Sequence, residues 1–374
     1  MNKLARWLPA LAVPVVIVGA AIAVPAIASA EAPLPSKSPQ QVLALIAKSE
    51  SAAYAGTVQQ ASDLGLPDLS ALENQQGQGG GSGDDILDLL TASHTAKVYT
   101  NGGTKQRVQL LDTLAERDVV RNGNSVWVYD SSAKQATHVT LSGADSGTKT
   151  RAPETTPAQL AARLVAQLKP TTSFDVGRSD RVAGRATYRL TLTPTVAGTL
   201  VHRATVAVDA KTGVPLDVAV YANGQSKPAV SVAFSAISYG KPHASVFEFT
   251  PPKGTDVTTR DVAPKKPMTA TPGPVVPRLP ATAKPTVTGS GWTAIAELPA
   301  GSLDPSKLTA AGSTAGTGSG ALPGGADSAA VLGLLQSVPG GRGVQTSLVS
   351  VLLTDDGRVL AGAVPLTALE SAAR

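Results

Sequence analysis

The chain has 374 residues, no cysteine, 36 Gly and 28 Pro; it is 42% hydrophobic but only 3% aromatic, with a formal net charge of +5. The missing cysteines exclude disulfides, thiolate zinc sites, thiol catalysis and an acylated cysteine, and the few aromatics leave a core of Val, Leu, Ile and Ala. Basic residues are scattered without interleaved aromatics, so the composition excludes a nucleic-acid-binding stripe and leaves solubility or attraction to anionic headgroups.

Residues 1–30 read as an export signal. "MNKLARW" is basic, "LPALAVPVVIVGAAIAVPAI" is apolar, and Ala28 and Ala30 are the small residues before a cleavage point at Glu31. The protein is therefore expected to be periplasmic or otherwise extracytoplasmic. Retained, the same apolar run would be an anchor almost long enough to span a bilayer, although Pro9, Pro14 and Pro25 weaken it as a helix.

A first helix starts at "SPQQVLALIAKSESA", with Ser38 as N-cap, Pro39 at the first helical position and Gln41 closing a capping box. Tyr54–Gln60 follows as a strand, and the Gly-rich stretch within 62–84 reads as a flexible insertion. From His94, "SHTAKVYTNGG", "TKQRVQLLD", "LAERDVVRNGN", "SVWVYDSS" and "KQATHVTL" form five short strands joined by Asn-Gly or Ser-rich turns. Thr156, Pro157 and Gln159 repeat the capping pattern before a second helix ended by Pro170. Five further strands follow, up to "AVSVAFSAISYG"; in one of them Tyr188, Leu190 and Leu192 alternate with Arg189, Thr191 and Thr193, the pattern of a sheet with one buried face.

About eleven strands with two helices predict a mainly β (α+β) protein: an open, curved antiparallel half-barrel under a helical lid, spanning residues 31–257. Pro251 and Pro252 in "FEFTPPKGTDV" stop strand pairing and close that unit. Residues 258–290 read as a Pro-rich linker, and 291–374 as a small αβ appendage too small to stand alone and expected to dock on the main sheet. Its parts are a helix in "DSAAVLGLLQSV" and a hairpin turning at Asp355, Asp356 and Gly357.

No catalytic constellation emerges. Ser131-Ser132-Ala133-Lys134, Ser179-Asp180-Arg181 and Lys211-Thr212-Gly213 imitate the three motifs of penicillin-recognising enzymes, yet the first bridges two strands and the last sits in a hairpin turn. His94, His138, His202 and His243 are far apart and read as exposed strand or loop residues, so no metal or other cofactor is expected. Asp84, Asp85 and Asp88 read as helix-capping charges. Alternation selects Trp127, Tyr129, Leu190, Leu192, Val218, Val232 and Phe234 as candidate ligand-facing positions, with Trp127 and Tyr129 on one side of their strand.

"RNGNSVWVYDSSAKQATHVTL", "VAVDAKTGVPLDVAVY" and "FEFTPPKGTDV" together resemble the LolA-like lipoprotein carriers over Ser38 to Val257. The resemblance implies a non-enzymatic carrier whose aliphatic cavity binds acyl chains of lipids or lipidated proteins. It also implies an arginine on an early strand that holds the lid, for which Arg107 is the nearest match. Regulators similar to the RseB sensor share the fold. The alternative is therefore a membrane-anchored lipid-sensing regulator of envelope stress, with a membrane surface or membrane protein as partner and no nucleic acid.

Overall fold

The computed structural model describes residues 34–65, 93–111, 116–141, 169–262, 285–301 and 335–374. The export signal, most of the Gly-rich insertion, the helix beginning near Thr156 and most of the Pro-rich linker lie outside the described residues.

The first element among the described residues is helix α1 (Pro39–Lys48). Its capping box is complete: Ser38 Oγ accepts from the Gln41 N–H at 3.3 Å, and the Ser38 N–H donates to Gln41 Oε1 at 2.8 Å. The strands that follow are β1 (Ala53–Ser62), β2 (His94–Asn101), β3 (Lys105–Leu111), β4 (Glu116–Asn122), β5 (Ser125–Asp130) and β6 (Gln135–Leu141). Next come β7 (Thr172–Val182), β8 (Arg185–Pro194), β9 (Val201–Asp209), β10 (Pro215–Ala222), β11 (Val230–Tyr239) and β12 (Asp256–Val262). Among the described residues these form one twelve-stranded sheet in the order β12-β6-β5-β4-β3-β2-β1-β11-β10-β9-β8-β7.

Local chemistry explains the turns. Gly123, at φ +62°, turns β4 into β5, and Asp130 Oδ1 accepts from the N–H groups of Ser132 and Ala133 to fold the β5–β6 turn. Ala183 and Gly184, both at positive φ, make the two-residue loop between β7 and β8.

The strand order is not a single run of consecutive hairpins. β1 lies in the middle, paired antiparallel to β2 on one side and β11 on the other, so two runs of hairpins flank it. The sheet is also mixed. After β11 the chain crosses one face of β3–β5 through a 3-10 turn (Ala244–Phe247) and adds β12 parallel to β6. Pro251 and Pro252 therefore end a crossover rather than a last antiparallel strand, and Thr258–Val262, expected in the linker, continue the sheet.

The remaining strands, β13 (Thr286–Thr288), β14 (Ile295–Leu298), β15 (Gln336–Val338), β16 (Gly341–Gln345), β17 (Ser350–Thr354) and β18 (Val359–Gly362), form a second sheet in the order β13-β14-β18-β17-β16-β15. Helix α2 (Leu366–Ala373) covers it, burying Leu369 against Leu352, Leu360 and Val364. The hairpin turning at Asp355–Gly357 is as expected from sequence, whereas Gln336–Val338, read as helix, is strand.

This C-terminal module docks on the large sheet. Trp292 Nε1 donates to Thr172 Oγ1 at 2.8 Å, the Leu200 N–H and Thr199 hydroxyl both donate to Ala363 O, and the Ser347 N–H donates to Leu64 O. Trp292 and Leu348 share one core with Val201, Ala222, Ala229 and Val230.

Candidate functional site

Side chains alternate across a strand, so the register sorts every position onto one of two faces of the large sheet. On the first face, Val176, Leu190, Val206, Val218 and Val232 follow one another across β7 to β11, with Phe174, Leu192, Ala204, Val220 and Val230 in the next row. Phe234 faces the same way as Val232 by alternation and lies opposite Val58; a bulge at Ser235 shifts the pairing of β11 with β1 only beyond it. Its ring lies over Gly56, where an added Cβ would come within 2.7 Å of it, and meets Tyr54 edge-on at 5.8 Å. Glycine at 56 makes room for the phenyl ring.

Two elements already cover part of this apolar face. Val42 of α1 is fully buried with Tyr188, Leu190 and Val208, and the Tyr188 hydroxyl donates to Pro35 O, fastening the segment before α1. Farther along, Trp292 and Leu348 of the C-terminal module pack over Leu192, Ala204 and Val220. Between them Val218, Val232 and Phe234 stay half-buried. The face continues across β2 to β6 as a valine row, Val98, Val108, Val119 and Val128, of which Val119 and Val128 are 40% and 39% exposed. Five of the positions selected from sequence thus lie on one face, two of them under other parts of the same chain.

Trp127, Tyr129 and Arg107 lie on the opposite face. Arg107, Val120, Trp127 and His138 are aligned across β3 to β6. Their contacts are with the crossover: Phe249 packs 5.5 Å from Trp127 and 5.4 Å from Tyr129, while Trp127 stacks on His138 at 4.3 Å. Arg107 Nη1 donates to Val246 O, its Nε donates to Asp118 Oδ1 at 3.0 Å, and its Nη2 pairs with Asp118 Oδ2. Asp118 is 1% exposed; burial pushes its carboxyl above the usual range against the opposing pull of Arg107. Arg107 therefore holds the crossover and Phe247 beside it, on the face away from α1.

A second charged cluster closes the β9–β10 end. Asp209 accepts from the Lys211 and Thr212 N–H groups and from the Tyr239 hydroxyl, and pairs with Arg185, whose guanidinium lies 4.6 Å from the Tyr239 ring centroid. Burial alone would raise the Asp209 carboxyl, but Arg185 and the two backbone donors hold it below the usual range. Burial also pushes the Tyr239 phenol up to about 12. Lys211-Thr212-Gly213 thus belongs to a structural turn, and Gly213 at φ +78° lies so close to Leu45 O that a Cβ would come within 2.1 Å of it. Ser131 and Lys134 sit in the β5–β6 turn, at the other side of the sheet order.

His94 is buried rather than exposed, His138 is half-buried beneath Trp127, and no group of three metal-ligating side chains occurs among the described residues. A cleft of about 410 Å³ lies between the start of α1 and β7, lined by Pro39, Gln40, Lys169, Thr172, Phe174 and Thr195 among others. None of the ligand-facing positions selected from sequence borders it. Among the described residues no helix is long and apolar enough to cross a membrane.

The family model of the MucB/RseB N-terminal domain matches residues 88–258, from just before β2 into β12. That family is one of non-enzymatic regulatory proteins. No curated protein matches the chain. Among solved structures, a chain of the Pseudomonas aeruginosa MucA/MucB complex is 16% identical, with 89% of this chain and 96% of that chain covered and a TM-score of 0.43. A crystal structure of MucB is 14% identical, with 89% of this chain and 94% of that chain covered and a TM-score of 0.42. The LolA superfamily protein NE2245 from Nitrosomonas europaea is 12% identical, with 57% and 99% covered and a TM-score of 0.23.

Proposed function

We propose that this protein is an exported, non-catalytic regulator of envelope signalling that acts by binding the extracytoplasmic segment of a membrane-anchored anti-sigma factor. The observation that carries the reading is the match of residues 88–258 to the MucB/RseB N-terminal domain. MucB is a periplasmic partner of the anti-sigma factor MucA. The packing agrees with it: α1 and the C-terminal module already occupy much of the apolar face on which a diffusing carrier would have to seat acyl chains.

The part of this face that neither α1 nor the C-terminal module covers among the described residues, around Val218, Val232, Phe234 and the Val119–Val128 row, is where an acyl chain or apolar segment would bias the regulator. Arg107, Trp127 and Tyr129 contribute by fixing the crossover. The test is a chromosomal deletion read in two ways. A regulator changes transcription from promoters of the partner sigma factor and leaves lipoproteins in their normal compartment. Mislocalised lipoproteins with unchanged transcription would instead establish the carrier function and overturn this reading.

A further inference from the structure

The crossover that leads from β11 to β12 is fastened to the sheet at one charged point. Arg107 on β3 donates from Nη1 to Val246 O at 3.2 Å, and its other donors go to Asp118 on β4, Nε to Oδ1 at 3.0 Å and Nη2 to Oδ2. Glu116, two residues away on β4 and therefore on the same face, brings Oε1 to 3.9 Å from the same Nη2. One guanidinium thus serves two carboxylates and a backbone carbonyl.

The elements packed around this cluster do not balance it. Asp118 lies opposite Gln109 of β3, whose amide donates to Glu116 Oε1 at 2.6 Å, and opposite Tyr129 of β5. Lys97 of β2 shares that row but stands beyond β3 and is exposed. The crossover contributes Val246, Phe247 and Phe249, which carry no charge, while its His243 and Glu248 are exposed. Among the described residues, the formal charges of Arg107, Asp118 and Glu116 leave one negative charge in excess around a carboxyl that is 1% exposed. Burial pushes that carboxyl above the usual range, Arg107 pulls it down, and Glu116 adds to the rise. A carboxyl raised in this way binds its proton more tightly in the fold than in the unfolded chain, so protonation leaves the fold standing. What protonation removes is the ion pair.

We propose that Arg107, Asp118 and Glu116 form an acid-sensitive latch: uptake of a proton by Asp118 lets the guanidinium turn to Glu116, breaks its hydrogen bond to Val246 O and releases the Ala244–Phe249 crossover from the face of β3–β5. The latch belongs to the isolated chain and needs no partner. Only its consequence for signalling rests on the function proposed above.

Hydrogen exchange of the chain from Glu31 onward, corrected for the intrinsic pH dependence of exchange, reads the latch at the Val246 and Glu248 amides, which donate to His243 O and Ser245 O within the crossover. As the pH falls from about 8 to about 4.5, protection there is expected to drop at least tenfold, with a midpoint above the ordinary aspartate value of about 3.9, while the amides of β7–β11 keep theirs. Asp118→Asn, which cannot carry the charge, should leave the crossover loose at every pH. Glu116→Gln removes the neighbouring negative charge and the second carboxylate, so the midpoint should move to lower pH and the drop should shrink. This variant, at a half-exposed position, decides the matter where Asp118→Asn does not fold. Protection independent of pH, a drop that survives in Asp118→Asn, or a midpoint unmoved by Glu116→Gln would overturn the proposal. Loss of protection in all strands together would also overturn it, because the response would then be unfolding rather than release.

Discussion

Replacing Arg107 by alanine tests whether the crossover is held by a buried ion pair. Asp118 is 1% exposed, and its guanidinium partner also donates to Val246 O, so the substitution leaves a carboxylate uncompensated and frees the backbone of the crossover. Breaking a fully buried pair from one side costs roughly 3–5 kcal/mol. The Arg107 side chain is 19% exposed, so partial solvent screening sets the expected loss at about 2–3 kcal/mol. Urea unfolding followed by fluorescence measures it. The pH dependence has a definite sign: with Arg107 gone, nothing opposes the burial that already raises Asp118, so the folded state binds a proton more tightly than the unfolded state. The deficit should therefore shrink as the pH falls through the raised carboxyl pKa and be fully present above it. Asp118→Asn in the same background should recover part of the loss. A cost below about 0.5 kcal/mol, within the range of an ordinary surface substitution, or a deficit independent of pH, would refute the reasoning.

Trp292→Ala should cost about 3–5 kcal/mol and release the C-terminal module, seen as faster proteolysis between β12 and β13; Trp292→Phe, which loses the bond to Thr172 but keeps most of the packing, should cost about 1 kcal/mol. Gly213→Ala forces a strained φ and a clash with Leu45 O, and should lower thermal stability and loosen α1, read as increased hydrogen exchange in Val42–Ile46. The depressed Asp209 carboxyl contributes stability that is present above the ordinary carboxylate value and lost as the pH falls through its lower folded value. Asp209→Asn should therefore flatten the acid limb of an unfolding titration. Ser38→Ala removes the cap of α1 and should cost about 1 kcal/mol by chemical denaturation.

The hairpins of β2–β6 and β7–β11 were legible because Asn-Gly turns and period-two alternation are local signals, and the α1 capping box is written in four consecutive residues. Pairing between distant strands was not. Nothing in the sequence says that β1 should lie between β2 and β11, or that the chain should cross a face after Tyr239 to add a parallel strand, because parallel pairing has no turn to announce it. Pro251 and Pro252 signal an end of pairing, and the parallel strand β12 that follows them has no hairpin to announce it. α2 has no clear sequence signature, because eight residues after Pro365 carry too little periodicity to mark a helix. The candidate site was legible strand by strand: Leu190, Leu192, Val218, Val232 and Phe234 share a face. Trp127 and Tyr129 also share one with each other, but whether it is the same face depends on registers carried through β4, β3, β2 and β1. Arg107 was found through resemblance, and its partner Asp118, across the β3–β4 hairpin, was missed because a buried carboxylate has no sequence signature of its own.

The proposed function requires that this chain bind the extracytoplasmic segment of a membrane-anchored anti-sigma factor. Its most direct test is isothermal titration calorimetry of the cysteine-free chain from Glu31 onward with that segment from the same genome. Saturable binding is expected, persisting in Trp127→Ala if the fold is intact and weakened when Val119 and Val128 are both changed to Asp. No heat with any such segment, together with acyl lipid retained by the purified protein, would contradict it.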